Sequence, residues 1–210
     1  MPLFYQHTIN QVTELAVWKI AEPEDFFLEK VSVQKEITHP HKRLQHLAGR
    51  YLLQILNPGF PFELIAIAES RKPLLSNGKL HFSISHCADF AAAIISKDKS
   101  VGIDVELITP KIESIKNKFL SQMEIDLISK KSDEFKFMNY ELLTLCWSTK
   151  ESIFKWYGKK QVDFKKNMII DNLFFENHHG MIESHFQKQH RTDLTVEFKF
   201  FEDLCLTWVL

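Results

Sequence analysis

The chain has 210 residues, of which 45% are hydrophobic and 25% are charged, and its formal net charge at pH 7 is -1. This composition is typical of an ordinary globular protein, so it excludes a disordered chain and a fibre. The near-zero charge also excludes a general electrostatic attraction to nucleic acid, so any site for an anion has to be local.

Cysteine usage and the N-terminal residues indicate the cellular setting. The cysteines are far apart in the sequence and form no C-x-x-C pair, which is typical of reduced thiols in the cytoplasm. Polar residues interrupt the N-terminal segment too early for a signal peptide, and no apolar run is long enough to span a membrane. We therefore expect a cytoplasmic protein that acts without a membrane.

The first part of the chain is predicted to form a strand and two helices. Alternating apolar residues predict a strand over residues 13–20. Pro23 and the acidic residues around it are typical of a first helical turn, so a helix is predicted from there to about Val33. Apolar residues at helical spacing predict a second helix that begins after Pro40 and ends at Asn57-Pro58-Gly59.

The polar face of that second helix is basic, since it carries Lys42, Arg43, His46 and Arg50. Two interpretations are open for this basic edge. The residues either form an ordinary solvated helix face or bind a phosphate group.

Three strands are predicted next, over residues 62–68, 80–85 and 90–95, with turns between them. In the second of these strands Ser83 and Ser85 lie on the face opposite Phe82, because successive side chains of a strand alternate between its two faces. His86 ends this strand. A histidine in that position is most often a surface or capping residue, and the alternative is a place in a pocket shared with the next strand.

Residues 101–107 alternate strictly and predict a strand with one acidic face. Asp104 and Glu106 point the same way, with their backbones roughly 6–7 Å apart. Like charges at that distance require solvent, a proton or a cation to neutralise them. Hard oxygen ligands without a neighbouring cysteine or histidine are those that Mg²⁺ prefers, so a magnesium site is one interpretation of this strand.

Two helical regions and three strands are predicted after the acidic strand. The helices cover residues 112 to about 130, with a break near Ser121, and about 133–157, where Gly158 ends the second helix. Ser121 and Glu124 fit a capping box, which accounts for Glu124 without a catalytic role. The strands are predicted over residues 168–175, 195–201 and 205–210.

The long helix carries a stripe of residues four apart, Trp147, Glu151 and Lys155, which lie one above the other on an α-helix. A glutamate and a lysine at this spacing are often only a solvated pair. The acidic strand upstream favours the other interpretation, in which a carboxylate and an ammonium face a ligand beside aromatic surface.

Each half of the sequence runs from a strand through two helices to further strands, and the halves meet near residue 98. We therefore predict an α+β fold, a pseudo-twofold pair of similar subdomains over residues 1–98 and 99–210, with the metal site on the second. A cleft between them is the expected place for a ligand. Since one chain then supplies both walls of the cleft, we expect a monomer.

Four motifs follow one another along the chain: Arg71-Lys72-Pro73, Phe82-Ser83-Ile84-Ser85-His86, Val101-Gly102-Ile103-Asp104-Val105-Glu106 and Trp147-Ser148-Thr149-Lys150-Glu151-Ser152-Ile153-Phe154-Lys155. In this order and spacing they resemble the phosphopantetheinyl transferases, and specifically the larger, single-chain type related to the surfactin synthetase activator. The resemblance covers about residues 40 to 160, and both ends of the chain diverge from the family pattern.

The resemblance implies a Mg²⁺-dependent reaction, with Mn²⁺ as an alternative ion. The phosphopantetheine arm of coenzyme A is transferred to a serine of an apo carrier protein of the acyl, peptidyl or polyketide type, and adenosine 3′,5′-bisphosphate is released, which is a holo-[acyl-carrier-protein] synthase activity. Carried onto this sequence, the metal ligands are Asp104, Glu106 and Glu151, and Lys155 binds the pyrophosphate.

The resemblance also implies contacts to coenzyme A. Ser85, His86 and Lys150 match family positions near its phosphates, and Lys72 and Pro73 match positions near its adenosine end.

The remaining implications concern proton transfer and two basic segments. Glu124 matches an acidic residue proposed to help deprotonate the serine through a metal-bound water. Arg43, His46 and Arg50 lie on a helix that resembles a basic helix beside the 3′-phosphate. Arg71 stands where the family usually has glycine, and it either contacts a phosphate or changes the path of the loop.

Two other classes of function remain open. A catalytically silent module that binds coenzyme A or a nucleotide could keep this fold, and a phenylalanine-rich surface could bind another protein. The presence of Asp104, Glu106, Glu151 and Lys155 favours the enzyme, because binding alone does not require all four of these residues.

Overall fold

The computed structural model describes residues 3–31 and 37–210. Within these residues the first half of the chain contains, in order, β1 (Leu3–Asn10), β2 (Thr13–Lys19), α1 (Glu24–Leu28), α2 (Pro40–Leu56), β3 (Ile65–Ile67), β4 (Pro73–Leu75), β5 (His81–Cys87) and β6 (Phe90–Ser96). The second half contains β7 (Gly102–Leu107), α3 (Lys116–Phe119), α4 (Gln122–Phe135), α5 (Asn139–Tyr157), β8 (Met168–Glu176), β9 (His179–Gln187), β10 (Arg191–Phe201) and β11 (Leu204–Val209).

The strands form two main antiparallel sheets, and each of these sheets is built from one half of the sequence. The first has the order β1-β2-β6-β5 and the second has the order β7-β11-β10-β9-β8, while β3 and β4 form a small separate pair. This mixture of helices and antiparallel sheets confirms the predicted α+β class. The pseudo-twofold relation of two subdomains and their boundary at residue 98 stay predictions.

An apolar cluster joins the two sheets. Leu15 and Ile94 contribute to it from the first sheet, and Ile103, Val105 and Leu206 contribute from the second. The apolar face of β7 therefore lies against the first sheet, as its alternating pattern predicts. The acidic face of β7 points toward α5, which packs on the opposite side of the strand.

Helix α5 lies very close to β7 because of Gly102. A Cβ atom built on Gly102 would lie only 2.0 Å from the carbonyl oxygen of Ser152, so no side chain fits between the strand and the helix. The two backbones are in direct contact. This contact sets the distance between Asp104 on the strand and the helical residues Glu151 and Lys155.

Three strands, β1, the short β4 and β9, are not predicted by the sequence pattern, and the strand predicted over residues 62–68 begins only at Ile65 because Phe62–Leu64 form a 3₁₀ turn. Every second residue of β1 is exposed at the edge of its sheet, so its apolar signal is weak. In β9, Ile182 and Phe186 alternate with charged and polar residues among several histidines, a composition that indicates a turn.

The helices differ from the prediction mainly at their ends. Helix α1 ends at Leu28, and the predicted continuation to Val33 reaches outside the described residues. The break at Ser121 is confirmed, because its side chain caps α4 and forms the capping box with Glu124. Helix α4 then continues to Phe135, and Lys136 ends it in a left-handed conformation. None of the helices described here has the length and apolarity needed to cross a membrane.

Candidate active site

A cavity of about 220 Å³ lies between the loop before β4, strand β5 and helix α5. It is lined by Ser70, Arg71, Lys72, Pro73, Ser83, Ile84, Glu151, Phe154, Lys155 and Gly158. The fold thus brings together residues from three of the four motifs. The fourth motif, on β7, joins them through Asp104.

Lys155 and Asp104 form the centre of the site. Lys155 Nζ donates to Asp104 Oδ1 at 2.6 Å, to Ser85 Oγ at 2.8 Å and to the carbonyl oxygen of Ile103 at 3.1 Å. The hydroxyl of Ser85 also donates to Asp104 Oδ1, at 2.8 Å. Strands β5 and β7 and the last turn of α5 therefore place one ammonium, one carboxylate and one hydroxyl in mutual contact.

The second oxygen of Asp104 is free to take a ligand. Asp104 is 3% exposed, and its Oδ2 atom is buried without a hydrogen bond to any residue that the structure describes. A buried carboxylate oxygen without a partner is unfavourable, so such an atom commonly marks a place for an ion or a water molecule.

Glu106 and Glu151 are two more carboxylates at the site, and the surroundings of each disfavour its ionised form. Burial, and then the charge of Asp104, raise the pKa of Glu106, while the indole of Trp147 donates to its Oε1 at 3.0 Å. Burial, the charge of Asp104 and that of Glu106 raise the pKa of Glu151 to about 7, against the opposing effect of Lys155. The three carboxylates therefore repel one another, and a cation would relieve that repulsion.

The donor set fits a hard cation such as Mg²⁺, because it consists of carboxylate oxygens. In their described positions, however, no three His, Cys, Asp or Glu side chains among residues 3–31 and 37–210 are arranged to hold one metal ion. Lys155 instead occupies one oxygen of Asp104. Ligation of one ion by Asp104, Glu106 and Glu151 together requires their side chains to rotate.

The loop before β4 supplies cationic groups to the cavity. Lys72 Nζ donates to the carbonyl oxygen of Val101 at 3.3 Å, and burial lowers the pKa of this lysine to about 8. Ser70 Oγ donates to the carbonyl oxygen of Gly158 at 2.5 Å, which ties the loop to the end of α5. An anion in the cavity would favour the charged form of Lys72.

Arg71 occupies a backbone conformation that glycine favours. Its φ angle is 71°, in the left-handed region. The loop therefore has the backbone geometry expected for the glycine that the family usually carries here. Arg71 is among the residues that line the cavity.

Strand β5 supports the site with two further motif residues. Ser83 Oγ accepts a hydrogen bond from the backbone N–H of Ile103 at 3.3 Å, which joins β5 to β7. His86 lies near Lys155 and Lys42, and its pKa is lowered by its partial burial and by these two positive charges. An anion between these groups would be attracted by all three when the histidine is protonated.

Lys150 and Glu124 are not brought to the cavity. Lys150 is fully buried, and its Nζ atom contacts Glu124 Oε1 at 2.7 Å and the carbonyl oxygens of Phe119 and Phe164 at 2.8 and 2.9 Å. Both oxygens of Glu124 also accept hydrogen bonds, from the backbone of Ile170 and from Ser121. A ligand cannot reach this pair without a rearrangement of the core.

Arg43 and Arg50, on the basic face of α2, make contacts within the protein, and Arg50 Nη1 is buried without a hydrogen bond to any described residue. Arg43 forms a two-point ion pair with Glu24, at 2.7 and 2.8 Å, and its Nη1 donates to the carbonyl oxygen of Ile37. Arg50 is 6% exposed and its Nε donates to His46 Nε2 at 2.8 Å, while burial lowers its pKa. The described wall of the 220 Å³ cavity includes none of Arg43, His46 and Arg50.

Trp147 has a place at the site that the sequence does not assign, because it orients Glu106 through its indole N–H. Lys42, which the sequence puts on the basic edge of the second helix, contributes positive charge near His86. The spacing of Trp147 and Glu151 places the indole on the same helix face as the carboxylate, but the hydrogen-bond partner of the indole, Glu106, lies on strand β7. Only the fold reveals that partner.

The second half of the chain matches a known protein family. The profile of the 4′-phosphopantetheinyl transferase superfamily matches residues 100–209. Over 121 residues the chain is 32% identical to enterobactin synthase component D of Salmonella typhi, in an alignment that covers 57% of this chain and 50% of that protein. Over 130 residues it is 29% identical to the 4′-phosphopantetheinyl transferase HetI of a Nostoc species, covering 57% of this chain and 54% of that protein.

The chain spans about half the length of the curated relatives it matches. The family profile includes β7 and α5, which carry Asp104, Glu106, Glu151 and Lys155. The cavity loop at residues 70–73 lies outside the part that the profile matches.

Proposed function

Because the chain belongs to the 4′-phosphopantetheinyl transferase superfamily, we propose that it transfers the phosphopantetheine arm of coenzyme A to a serine of an apo carrier protein. The serine oxygen forms a bond to the phosphorus that bears the pantetheine group. The bond from that phosphorus to the bridging oxygen of the diphosphate breaks, and adenosine 3′,5′-bisphosphate leaves. The serine proton passes to a base.

The contact of Lys155 with Asp104 and Ser85 is the observation that supports this proposal most directly. It places an ammonium beside a cavity that two further basic residues, Arg71 and Lys72, also line, so the space where a diphosphate would lie is bordered by basic residues from two segments. Asp104 holds the ammonium in position before a ligand arrives. A preorganised donor of this kind is typically worth about 10²–10³-fold in rate.

We further propose that Asp104, Glu106 and Glu151 hold a Mg²⁺ ion, with Mn²⁺ as an alternative. When bound, the ion supplies positive charge that offsets the charge of the diphosphate. The unpartnered oxygen of Asp104 and the raised pKa of Glu151 support this assignment. Trp147 keeps Glu106 directed toward the site by donating to one of its oxygens.

The acceptor of the serine proton is better placed among the cleft carboxylates than at Glu124. Both oxygens of Glu124 already accept hydrogen bonds, and the residue is 2% exposed. Glu151, in contrast, lines the cavity, where a serine hydroxyl or a water molecule can approach its carboxylate. Glu124 and Lys150 are left with a structural role.

The direct test is transfer in vitro. The protein is incubated with coenzyme A, Mg²⁺ and an apo acyl or peptidyl carrier protein, and the carrier is analysed by mass spectrometry. We expect the arm on the carrier serine, no arm when that serine is replaced by alanine, and no transfer after chelation of the metal. Failure to modify either carrier type, with a folded protein that binds coenzyme A, would contradict the proposal.

A module that binds coenzyme A without transferring its arm is the second candidate. The observation in its favour is that Lys155 contacts Asp104 while the described carboxylates form no closed metal site. The same experiment separates the two functions. A silent module would bind adenosine 3′,5′-bisphosphate in calorimetry but leave the carrier unmodified.

A further inference from the structure

Directly behind the candidate site, hydroxyl groups connect helix α5 to the sheet. Thr207 on β11 is paired with Asp104 on β7, and residues paired across neighbouring strands point to the same face of the sheet. Ser148 and Ser152, one turn apart on α5, contact Thr207 from the opposite side. All three of these hydroxyl-bearing residues are 0% exposed.

One threonine hydroxyl contacts two successive turns of the helix. Thr207 Oγ1 lies 2.9 Å from the carbonyl oxygen of Ser148, 2.9 Å from Ser148 Oγ and 2.6 Å from Ser152 Oγ. Since a hydroxyl has one proton and two lone pairs, Thr207 satisfies all three contacts if it donates to the carbonyl and accepts from both serines. Ser152 Oγ also lies 3.1 Å from the carbonyl oxygen of Thr207, so its single proton is shared between that carbonyl and Thr207 Oγ1.

These hydrogen bonds constrain a direction that apolar packing leaves free. The contact at Gly102 sets how far α5 lies from the sheet, but apolar contacts alone are non-directional. A helix that slides by one residue moves about 1.5 Å along its axis. Such a shift would break the 2.6 Å contact between Lys155 and Asp104, and the contacts of Thr207 oppose it.

We propose that Thr207 is a positioning residue whose hydroxyl fixes the register of α5 on the sheet and thereby holds Lys155 and Glu151 beside Asp104. The expected effect of Thr207 on the rate of arm transfer rests on the proposed function, whereas its effect on the position of α5 does not. Among the described residues, the hydroxyl of Thr207 forms its hydrogen bonds with Ser148 and Ser152 and none with Asp104, Glu151 or Lys155.

The test replaces Thr207 by valine, which keeps the shape and removes the hydroxyl. Misplacement of a catalytic group by a fraction of an ångström to 1 Å lowers rates by up to about 10²-fold. We therefore expect Thr207→Val to lower kcat for arm transfer by about 10- to 100-fold, with a much smaller change in KM for coenzyme A. Thr207→Ser keeps the hydroxyl and should retain most of the activity.

The first sheet offers a matched control for lost stability. Thr13 Oγ1 lies 2.8 Å from Ser96 Oγ, and both residues are 0% exposed, far from α5 in the sequence and in the other sheet. Thr13→Val removes a buried hydroxyl in the same way. It should lower the melting temperature but leave kcat unchanged. Equal effects of Thr13→Val and Thr207→Val on kcat would overturn the proposal.

A measurement independent of activity separates this proposal from the proposed function. Lysines labelled with ¹³C at Cε are observed by NMR, and the Lys155 signal is assigned with Lys155→Arg. We expect Thr207→Val to shift that signal, and Thr13→Val and Thr207→Ser to leave it in place. An unshifted signal in folded Thr207→Val would overturn the positioning role, whereas a wild-type protein without transfer activity would overturn only the function.

Ser152→Ala provides a second variant in case Thr207→Val does not fold. Alanine is favourable in a helix, so this change removes one hydroxyl without a helix penalty. It should shift the Lys155 signal in the same direction and lower kcat by a smaller factor. A folded Ser152→Ala protein with the wild-type signal and kcat would count against the proposal.

Discussion

Helix α5 carries two lysines that each pair with a carboxylate, and the two pairs differ in what they leave accessible. The side chains of Lys150 and Glu124 are 0% and 2% exposed, and all of their polar atoms have partners within the protein. The Lys155 side chain is 22% exposed in the cavity wall, and its partner Asp104 keeps one oxygen without a hydrogen bond in the described chain. Two lysines five positions apart on one helix, each paired with a carboxylate, therefore form a closed pair and an open pair.

In this protein, structural charges differ from candidate functional charges in two respects: whether all their hydrogen bonds are completed within the protein, and whether a ligand can reach them. Residue type does not separate them. A buried pair whose hydrogen bonds are complete has no free donor or acceptor for a ligand, so its main effect is on the stability of the fold. An open pair keeps a cation and a lone pair available at the surface of a cavity, which is the usual state of a binding or catalytic group.

Loss of one partner of the closed pair should produce the largest effect. Lys150→Met leaves the carboxylate of Glu124 buried without its cation, and such a change typically costs about 3–5 kcal/mol of unfolding free energy. Denaturant titration followed by circular dichroism measures this loss. The transfer rate per folded molecule should stay close to that of the wild type.

The double variant Lys150→Met with Glu124→Gln is the control for the closed pair. Glutamine removes the unpaired buried charge but keeps an oxygen that can accept from the backbone of Ile170 or Ser121, so part of the lost free energy should return. If folded Lys150→Met loses transfer activity while its stability is unchanged, the closed pair acts in catalysis and the comparison fails.

The open pair should show the reverse pattern. Asp104→Asn removes the carboxylate that holds Lys155, and we expect transfer to fall by about 10²–10³-fold. Stability should change less than in Lys150→Met, because the variant also removes charge that disfavours the ionised forms of Glu106 and Glu151. Single-turnover transfer and denaturant titration on the same preparation provide both numbers. Near-normal transfer by Asp104→Asn would refute the assignment of this pair to the active site.

The third prediction concerns pH in protein treated with a chelator to remove metal. Glu151 has a pKa of about 7 in the folded protein, above its ordinary value of 4.5, mainly because it is buried and secondly because Asp104 is near. A group whose folded pKa is raised stabilises the fold below its unfolded pKa, and this stability is lost as the pH rises to the folded pKa. The unfolding free energy should therefore fall between pH 4.5 and about 7, by at most about 3.4 kcal/mol at 1.36 kcal/mol per pKa unit.

Glu151→Gln tests whether this residue causes the pH dependence. Its unfolding free energy should vary less over the same pH range, although Glu106, whose pKa is also raised, contributes in the same direction. Mg²⁺ added at neutral pH should raise the melting temperature of the wild type more than that of the variant. If the unfolding free energies of the two proteins varied with pH in the same way, Glu151 would not be one of the mutually repelling carboxylates.

Local patterns in the sequence account for much of the fold and for the open pair. The strict alternation in β7 predicts which face carries Asp104, and the four-residue spacing in α5 predicts that Glu151 and Lys155 share a face. The capping signal at Ser121 predicts where α4 starts. Each of these features depends on residues close together in the chain.

Features that depend on distant residues could not be predicted in this way. The closed pair joins residues 26 positions apart and is completed by the backbone of a third element. Motif resemblance therefore places Lys150 near phosphate, although its ammonium lies in the core. Arg43 is a similar case, because its pairing with Glu24 is decided by how α1 packs on α2.

The smallest effects are expected for substitutions of two arginines, Arg71 and Arg43, which the sequence analysis gives the same candidate role, contact with a phosphate. Arg71 lines the cavity, whereas Arg43 pairs with Glu24 and a backbone carbonyl. In calorimetry, Arg71→Gly should weaken binding of coenzyme A by about two- to fivefold, the range of an exposed charge contact. Arg43→Gln should change it by less than about twofold.

Stability distinguishes a binding role of Arg71 from a structural one. The left-handed backbone of Arg71 costs about 1–2 kcal/mol for a residue with a Cβ atom, and glycine removes that cost while losing about 0.5–1 kcal/mol through its greater freedom in the unfolded chain. Arg71→Gly should therefore be as stable as the wild type or up to about 1.5 kcal/mol more stable, even as it binds coenzyme A less tightly. Loss of both stability and affinity would mean that the arginine supports the loop, and an unchanged affinity would mean that its charge faces solvent.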